Sequence, residues 1–286
     1  MRSWSFAKGH GTRNDFVIVV DREGLHDPTP AEVRAICDRH AGIGGDGLLR
    51  AVRAGRVAEW DGDPDLWFMD YRNADGSVAE MCGNGVRVFA RYLLDQDLAQ
   101  GPVLPIATRA GLKQATVLPD HRIRVAIGEV TVLPGRVGVT VGGLADPVEA
   151  VQVDVGNPHA VAFVDDPGKL ELHRSPVWSP GDAFPDGVNC EFVQVTGDRR
   201  LRMRVYERGV GETQSCGTGT VAVAAAAAAR DGHAERPVTY RVDVLGGTVE
   251  VELAAPTGDG PGRQAQLTGP AVIVGHGEFL LPDGTT

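Results

Sequence analysis

A short pattern occurs twice in this chain, around Cys82 and around Cys216. In each copy, EMCGNGVRVFARYLL and QSCGTGTVAVAAAAA, a cysteine precedes Gly-x-Gly and then an apolar run with helical character. The chain has 286 residues, and single hydrophobic cores rarely grow beyond about 250–300 residues. The repeat therefore predicts a duplicated unit, with one central apolar helix in each half.

Most of the remaining sequence is typical of short strands, because β-branched residues lie between Gly, Asp and Pro. The clearest segments are DFVIVVD, DLWFMDYR, RIRVAIG, AVQVDVGN, HAVAFVDD, RLRMRVYE, YRVDVLGG and TVEVEL. Helical patterns occur in PAEVRAICDRHA, after Gly85, and in the alanine-rich run that ends near Arg230. Small side chains on every face of that last run let a sheet wrap closely around it. The expected fold is α+β: two pseudo-symmetric halves, each a mixed β-sheet or barrel wrapped around a central α-helix.

The boundary between the halves is expected near Gly128. The N-terminal half would comprise residues 1–128, and the C-terminal half residues 129–270. The last strand-like segment, PAVIVGHGEFLL, lies beyond the share of the second half. We therefore expect residues 271–286 to complete the N-terminal half.

Composition excludes several classes of partner. The net charge is −10, the pI is about 5.3, and Lys and Arg form no cluster, so we expect no nucleic-acid or anionic-membrane partner. The most apolar run, residues 221–229, is much shorter than the roughly 20 residues of a membrane-spanning helix. The N-terminus, MRSWSFAKGHG, lacks the pattern of a signal peptide, which predicts a cytoplasmic protein. The sequence leaves open whether the chain forms a homodimer.

No metal or organic cofactor is expected. The four cysteines form no C-x-x-C pair and have no histidine at metal-ligand spacing. The segment GIGGDG fits G-x-G-x-x-G but follows a helical pattern instead of a strand, which argues against a dinucleotide site. Lys8, Lys113 and Lys169 are the only lysines, and none has a setting that indicates a Schiff base. Cys37 and Cys190 fit core packing.

Cys82 and Cys216 are the candidate reactive groups. A helix N-terminus carries partial positive charge and unpaired N–H groups, so we expect the pKa of each thiol to fall below its usual value of about 8.5. The glycines that follow leave those N–H groups accessible to a small carboxylate. Two such thiols facing one another across a cleft could invert a stereocentre, one as base and one as acid. Core packing and a disulfide are the alternatives, and the duplication favours the reactive interpretation.

Other polar residues near these segments are candidates for supporting roles. The Asn-Pro-His turn is expected to present the ring of His159, and Glu207 and Arg208 are expected to form a charge pair at the site. Asn73 stands as far before Cys82 as Glu207 stands before Cys216. The candidate ligand donors are Asn73, Asn84, Asn157 and Asn189.

Six segments together resemble the diaminopimelate epimerase family. They are GTRNDFVIVVD, GIGGDG, YRNADGSVAEMCGNGVRVFARYL, VDVGNPH, FPDGVN and VYERGVGETQSCGTGT, in the order that the family has them. The resemblance implies two pseudo-symmetric halves, each with a sheet around a central helix. It also implies a cofactor-independent enzyme with a small amino-acid substrate, which interconverts LL- and meso-2,6-diaminopimelate in lysine and peptidoglycan precursor biosynthesis.

The resemblance also assigns roles to single residues. Cys82 and Cys216 would be the acid–base thiols, and His159 and Glu207 would tune them. The backbone around Gly83, Asn84, Gly217 and Thr218 would hold the reacting carboxylate. The residues that would bind the rest of the substrate are Asn14, Asn73, Asn157, Asn189, Glu207 and Arg208.

The chain departs from the family pattern at Gly47, where many members have a glutamine ligand. That contact is either lost or replaced. Residues 53–65 also look longer than in compact members, which predicts a surface insertion. The alternatives are a related two-thiol racemase or epimerase for another amino acid, of the proline or hydroxyproline type or from specialised metabolism, and a non-enzymatic thiol redox switch.

Overall fold

The computed structural model describes residues 2–256, 260 and 262–281. Residues 282–286, at the end of the predicted N-terminal half, lie outside the described residues. The α-helices in the described ranges are α1 (Pro30–Cys37), α2 (Gly83–Asp95) and α3 (Gly217–Arg230). The strands are β1 (Arg2–Gly11), β2 (Asn14–Val20), β3 (Gly47–Arg53), β4 (Trp67–Asn73), β5 (Val103–Thr108), β6 (Gly111–Val117), β7 (Ile123–Thr140), β8 (Val148–Asp154), β9 (Pro158–Phe163), β10 (Val177–Ser179), β11 (Asn189–Gly197), β12 (Arg200–Glu207), β13 (Gly211–Thr213), β14 (Val238–Val244), β15 (Gly247–Leu253), β16 (Arg263–Gly269) and β17 (Val272–Leu281).

The chain divides into two compact units, and the first contains Met1–Val125 and Gly269–Thr286. Its strands pair in the order β17, β1, β2, β3, β4, β5, β6, and β6 also pairs with the first residues of β7. The β2–β3 and β4–β5 pairs are parallel, and the others are antiparallel. Helix α2 contacts β17 and every strand from β1 to β6. The sheet therefore wraps around this helix.

The second unit, Ala126–Thr268, contains a closed ring of strands. The pairing runs β7, β8, β9, β11, β12, β14, β15, β16 and back to β7. Helix α3 contacts β8, β9, β11, β12, β14 and β15, and its alanines from 222 to 228 are almost completely buried. Their small side chains let the strands approach the helix on all sides. The predicted α+β fold, with strands wrapped around central helices, is confirmed.

The glycines of GIGGDG end helix α1. The helix begins at a capping box, in which the Thr29 hydroxyl accepts a hydrogen bond from the Glu32 N–H and the Glu32 carboxylate accepts one from the Thr29 N–H. At the other end, the N–H groups of residues 42–45 donate to the carbonyls of residues 36–38. Gly44 has φ +80°, and a Cβ on Gly42 would lie 2.1 Å from the carbonyl oxygen of Ala35. The helix therefore ends at Cys37, four residues before the end of the predicted segment.

Each predicted strand segment overlaps a strand of the structure, but β7 continues far beyond RIRVAIG. It runs through Gly135, where φ is +93° and the pairing with β8 shifts register between Val132 and Arg136.

Cys37 and Cys190 are buried in hydrophobic clusters, as predicted, and burial raises the pKa of Cys37 to about 12. Residues 53–65 comprise the last residue of β3 and most of the connection to β4, and most of them are exposed. Within the described ranges, each helix is too short or too polar to cross a membrane.

Candidate active site

Cys82 caps the N-terminus of α2. Its backbone is extended, and its Sγ accepts a hydrogen bond from the Gly85 N–H at 3.4 Å. The cysteine takes the place of the Ser, Thr, Asp or Asn that usually satisfies a donor of the first helical turn. Its side chain is half-buried, and Sγ lies 3.7 Å from Oδ1 of Asn14. The sequence repeat thus places the first thiol at a helix N-terminus, as predicted.

A chain of hydrogen bonds fixes the side chains around Cys82. Asn84 donates from Nδ2 to Oδ1 of Asn14 at 3.1 Å, and Asn14 donates from Nδ2 to Asp46 at 2.7 Å. On the other side, the Arg87 guanidinium donates to Oδ1 of Asn84 at 2.8 Å. Two of the predicted ligand residues, Asn14 and Asn84, therefore lie beside the first thiol, and each is held in one orientation.

Arg87 is a buried cation that sequence reasoning missed. It lies one turn after Gly83, whose carbonyl it contacts at 3.4 Å, and it is completely buried. Burial lowers the pKa of Arg87 to about 10, and the charge of Cys82 acts in the opposite direction. The attraction is mutual, so Arg87 stabilises a thiolate at Cys82.

Asn73 ends strand β4, and its amide is bonded at both ends. The Tyr71 hydroxyl donates to Oδ1 at 2.8 Å, and Nδ2 donates to the Ser77 hydroxyl at 3.0 Å. Gly47 pairs with Asn73 across β3 and β4, and a Cβ there would lie 2.5 Å from the Arg72 carbonyl oxygen and 2.7 Å from Tyr71 Cε2. The Tyr71 ring therefore fills the space that a side chain at position 47 would need.

Cys216 caps the N-terminus of α3 with the same backbone geometry. Its Sγ accepts a hydrogen bond from the Gly219 N–H at 3.4 Å and lies 3.5 Å from the Thr218 hydroxyl. Unlike the first thiol, it is buried, with 6% of its surface exposed. Burial raises the pKa of Cys216 well above its usual value, and the carboxylate of Glu207 raises it further. The predicted fall of this pKa at the helix N-terminus is therefore wrong, because burial and the neighbouring Glu207 carboxylate outweigh the helix.

His159 lies in strand β9 and is completely buried, so the prediction that its turn presents the ring is wrong. Its Nδ1 lies 2.7 Å from Oε1 of Glu191, and its Nε2 lies 3.0 Å from Oδ1 of Asn157. Glu191 is completely buried as well. Sequence reasoning missed this carboxylate, which links the predicted His159 and Asn157 to the surroundings of Cys216.

The remaining predicted residues of the second unit lie at the ends of β11 and β12. The backbone N–H of Arg208 donates to Oδ1 of Asn189 at 2.8 Å, and its guanidinium donates to the Asp186 carbonyl at 3.2 Å. The Glu207 carboxylate accepts a hydrogen bond from the Thr213 hydroxyl. Arg208 is exposed, and Glu207 is half-buried.

The fold places the chain in a structural class with known solved members. A phenazine biosynthesis protein of the PhzF family from Bacillus anthracis matches with a TM-score of 0.72 at 15% identity, over 98% of this chain and 100% of that one. A hydroxyproline epimerase from Agrobacterium vitis matches with a TM-score of 0.69 at 17% identity, over 99% of this chain and 94% of that one. At these identities the likeness shows the fold alone.

Sequence comparison narrows this class to one family. The chain belongs to the diaminopimelate epimerase family, which it matches over residues 6–133 and 151–274. It is 50% identical to the diaminopimelate epimerase of Streptomyces coelicolor, over 96% of this chain and 95% of that one. It is 46% identical to the diaminopimelate epimerase of Corynebacterium glutamicum, over 96% of this chain and 98% of that one.

Proposed function

We propose that this chain is an isomerase that interconverts LL-2,6-diaminopimelate and meso-2,6-diaminopimelate by proton transfer at one α-carbon. Membership of the family supports the reaction and the substrate, because the relatives of high identity are named for it. The observation that carries the mechanism is that Cys82 and Cys216 each cap the central helix of their own unit. No organic cofactor or metal enters the proposed steps.

The proposed reaction has two proton transfers and a carbanion between them. One thiolate takes the α-proton and becomes a thiol, and the other thiol gives its proton to the opposite face of the carbon and becomes a thiolate. Positioned general acids and bases contribute about 10²–10⁴-fold, so the carbanion needs further stabilisation. The first N–H groups of a helix supply it, at Gly83 and Asn84 in α2 and at Gly217 and Thr218 in α3, where the reacting carboxylate would bind.

The surroundings of the two thiols suggest which one starts as the base. Buried Arg87 favours the thiolate of Cys82, whereas burial and the carboxylate of Glu207 favour the protonated thiol of Cys216. In the proposed resting enzyme, Cys82 is therefore ready to accept a proton and Cys216 is ready to donate one. A pair with one proton between its members is the state that the reaction requires.

The other predicted residues would bind the end of the substrate that does not react. A second amino-acid group offers a carboxylate and an ammonium, which match the amide, guanidinium and carboxylate groups of these side chains. They are Asn14, Asn73, Asn157, Asn189, Glu207 and Arg208. Since the chemistry requires free thiols, we also propose that the protein acts in the cytoplasm, where thiols stay reduced.

Deuterium exchange tests the proposal directly. The reduced protein is incubated with LL-diaminopimelate in D₂O, and deuterium at the α-carbon and the appearance of the meso form are followed by NMR and chiral chromatography. We expect deuterium in the meso product at one α-carbon only. L-Proline serves as the control substrate, which we expect to remain unlabelled. A folded, reduced protein that exchanges no proton of diaminopimelate would refute the proposed function.

A further inference from the structure

Three side chains of the second unit lie in a row that leads from its interior toward the proposed substrate site. Glu191 on β11 contacts Nδ1 of His159 on β9, and Nε2 of His159 contacts Oδ1 of Asn157 in the turn before β9. Glu191 and His159 have no exposed surface, whereas Asn157 is half-buried. Of the three, only Asn157 has solvent-exposed surface.

The hydrogen bonds determine how many protons the row carries. The amide oxygen of Asn157 can only accept, so Nε2 of His159 must carry a hydrogen. The short contact between Nδ1 and Oε1 of Glu191 needs a second proton, on either atom. With both protons present, the Glu191–His159 pair has no net charge, either as acid and neutral imidazole or as carboxylate and imidazolium.

The alternative arrangement is unfavourable at this place. If the Asn157 amide were reversed, its Nδ2 would donate to Nε2, and the pair would hold one proton fewer and a net negative charge. Oε2 of Glu191 is buried without a hydrogen-bond partner among the described residues. Among the described residues, the titratable neighbours of the pair are Glu207, Cys190 and Cys216, and none of these adds positive charge. An uncompensated charge in such surroundings is strongly unfavourable, because the buried ion loses its hydration and finds no opposite charge.

Two further observations agree with a neutral pair. Burial raises the pKa of Glu191, although His159 acts to lower it. The carboxyl group also lies next to the start of α3, because a Cβ on Gly219 would be 2.6 Å from Oε1 of Glu191 and 3.3 Å from Sγ of Cys216. A charge on the pair would therefore oppose a thiolate on Cys216, which the proposed reaction must form.

We propose that Glu191 is a positioning residue, which acts through His159 to hold Oδ1 of Asn157 inward so that the amide hydrogens of Asn157 face the substrate. An amide that presents N–H groups binds an acceptor, so Asn157 would bind a carboxylate oxygen of the substrate and not its ammonium. The claim that Asn157 binds a carboxylate oxygen of the substrate rests on the proposed function. The proton arrangement of the ligand-free protein does not.

The first test needs no substrate. Protein labelled with ¹⁵N-histidine is studied by NMR, and the His159 signals are assigned by their loss in His159→Gln. We expect Nε2 of His159 to carry a hydrogen between pH 6 and pH 9, in the unmodified protein and in Glu191→Gln, whose amide reproduces a neutral acid. An unprotonated Nε2 at neutral pH would overturn the proposal, whatever reaction the protein catalyses.

The second test separates positioning from general stabilisation. We expect Glu191→Ala to raise the KM for diaminopimelate about tenfold, with a smaller change in kcat, and Glu191→Gln to leave KM within about threefold. Glu149→Gln, which changes an exposed carboxylate paired with Arg136, is the control and should change neither constant. A Glu191→Gln protein with a tenfold higher KM would overturn the proposal, and so would an unchanged KM in a folded Glu191→Ala protein. If Glu191→Ala does not fold, the KM of Glu191→Gln and the NMR measurement still test the proposal.

Discussion

The loops around Cys82 and Cys216 have the same backbone design and opposite electrostatic surroundings. Both cysteines have extended backbones, and both accept a hydrogen bond from the N–H three residues later. The first lies near the buried cation of Arg87, and the second lies near the buried carboxyl group of Glu191 and the half-buried one of Glu207. The position at a helix N-terminus therefore does not determine the acidity of a thiol. Burial and the neighbouring charged side chains do.

The largest expected effect comes from removing either thiol. Cys82→Ser and Cys216→Ser should each lower kcat for diaminopimelate at least about 10³-fold, because a serine hydroxyl is a far weaker acid and base at neutral pH. The initial rate of meso-diaminopimelate formation measures the loss. Cys190→Ala, which changes a buried core thiol of the second unit, is the control and should retain most activity. If one of the two serine variants keeps full turnover, that cysteine has no part in the mechanism.

A smaller effect should follow from removing the cation of the first loop. Arg87→Met is expected to slow alkylation of Cys82 by iodoacetamide about tenfold at pH 7, since the thiolate loses a favourable charge interaction. In the unmodified protein, Cys82 should be alkylated before Cys216, because it is both more exposed and near a cation. Mass spectrometry of peptides measures both rates.

Arg91→Met is the matched control for this prediction. Arg91 lies one turn further along α2 and pairs with Asp95, so its loss should leave the alkylation rate of Cys82 unchanged. Equal rates for Cys82 in the Arg87→Met and unmodified proteins, or faster alkylation of Cys216 than of Cys82, would show that the two loops do not differ in the way proposed.

The smallest expected effect concerns stability in acid. Burial acts to raise the pKa of Asp15, but hydrogen bonds and charges from Arg39 and Lys8 hold it at about 2. A pKa that is lower in the folded state stabilises the fold above the usual pKa of the group, and this stabilisation is lost as the pH falls toward 2. We expect Asp15→Asn to lower the free energy of unfolding by about 1–2 kcal/mol at pH 7, and the difference to vanish near pH 2.

Hydrogen exchange measures where this loss occurs. Asp15 lies on β2, so its replacement should speed exchange in β2 and β3 of the first unit and leave β9 and β11 of the second unit unchanged. Asp120→Asn, at an exposed site of the first unit, is the control. Equal protection in Asp15→Asn and the unmodified protein at pH 7 would contradict the predicted stabilisation.

The pattern of residues predicted the elements well and the neighbours of the thiols poorly. Alternation and turn residues locate β12, and the repeat locates both helix-capping cysteines, because these are local properties of the sequence. Glu191 lies between Cys190 and Phe192, both of which pack in a hydrophobic cluster. A simple alternation predicts an exposed side chain between them. In a closed ring of strands, the face of β11 opposite the hydrophobic cluster is buried against α3. The same alternation therefore buries the carboxyl group of Glu191.

Arg87 escaped prediction for a related reason. A charged residue in an amphipathic helix usually lies on the exposed face, and nothing in the neighbouring sequence shows that the face of α2 with Arg87 is completely covered. The space at Gly47 is also a property of packing, because it depends on the ring of Tyr71 on the next strand. These features arise from contacts between elements distant in sequence, which periodicity does not report.

The pairing of β1 with β17 sets an order of events during synthesis of the chain. The second unit is continuous from residue 126 to residue 268 and can form as soon as it has been made. Strand β1 must wait for its partner until residues 272–281 have been added. At about 5–20 residues per second, translation of residues 126–268 alone takes roughly 7–30 seconds, and one edge of β1 stays open for at least that time. The unit that contains β1 is therefore completed only after the unit that follows it in the chain has been synthesised.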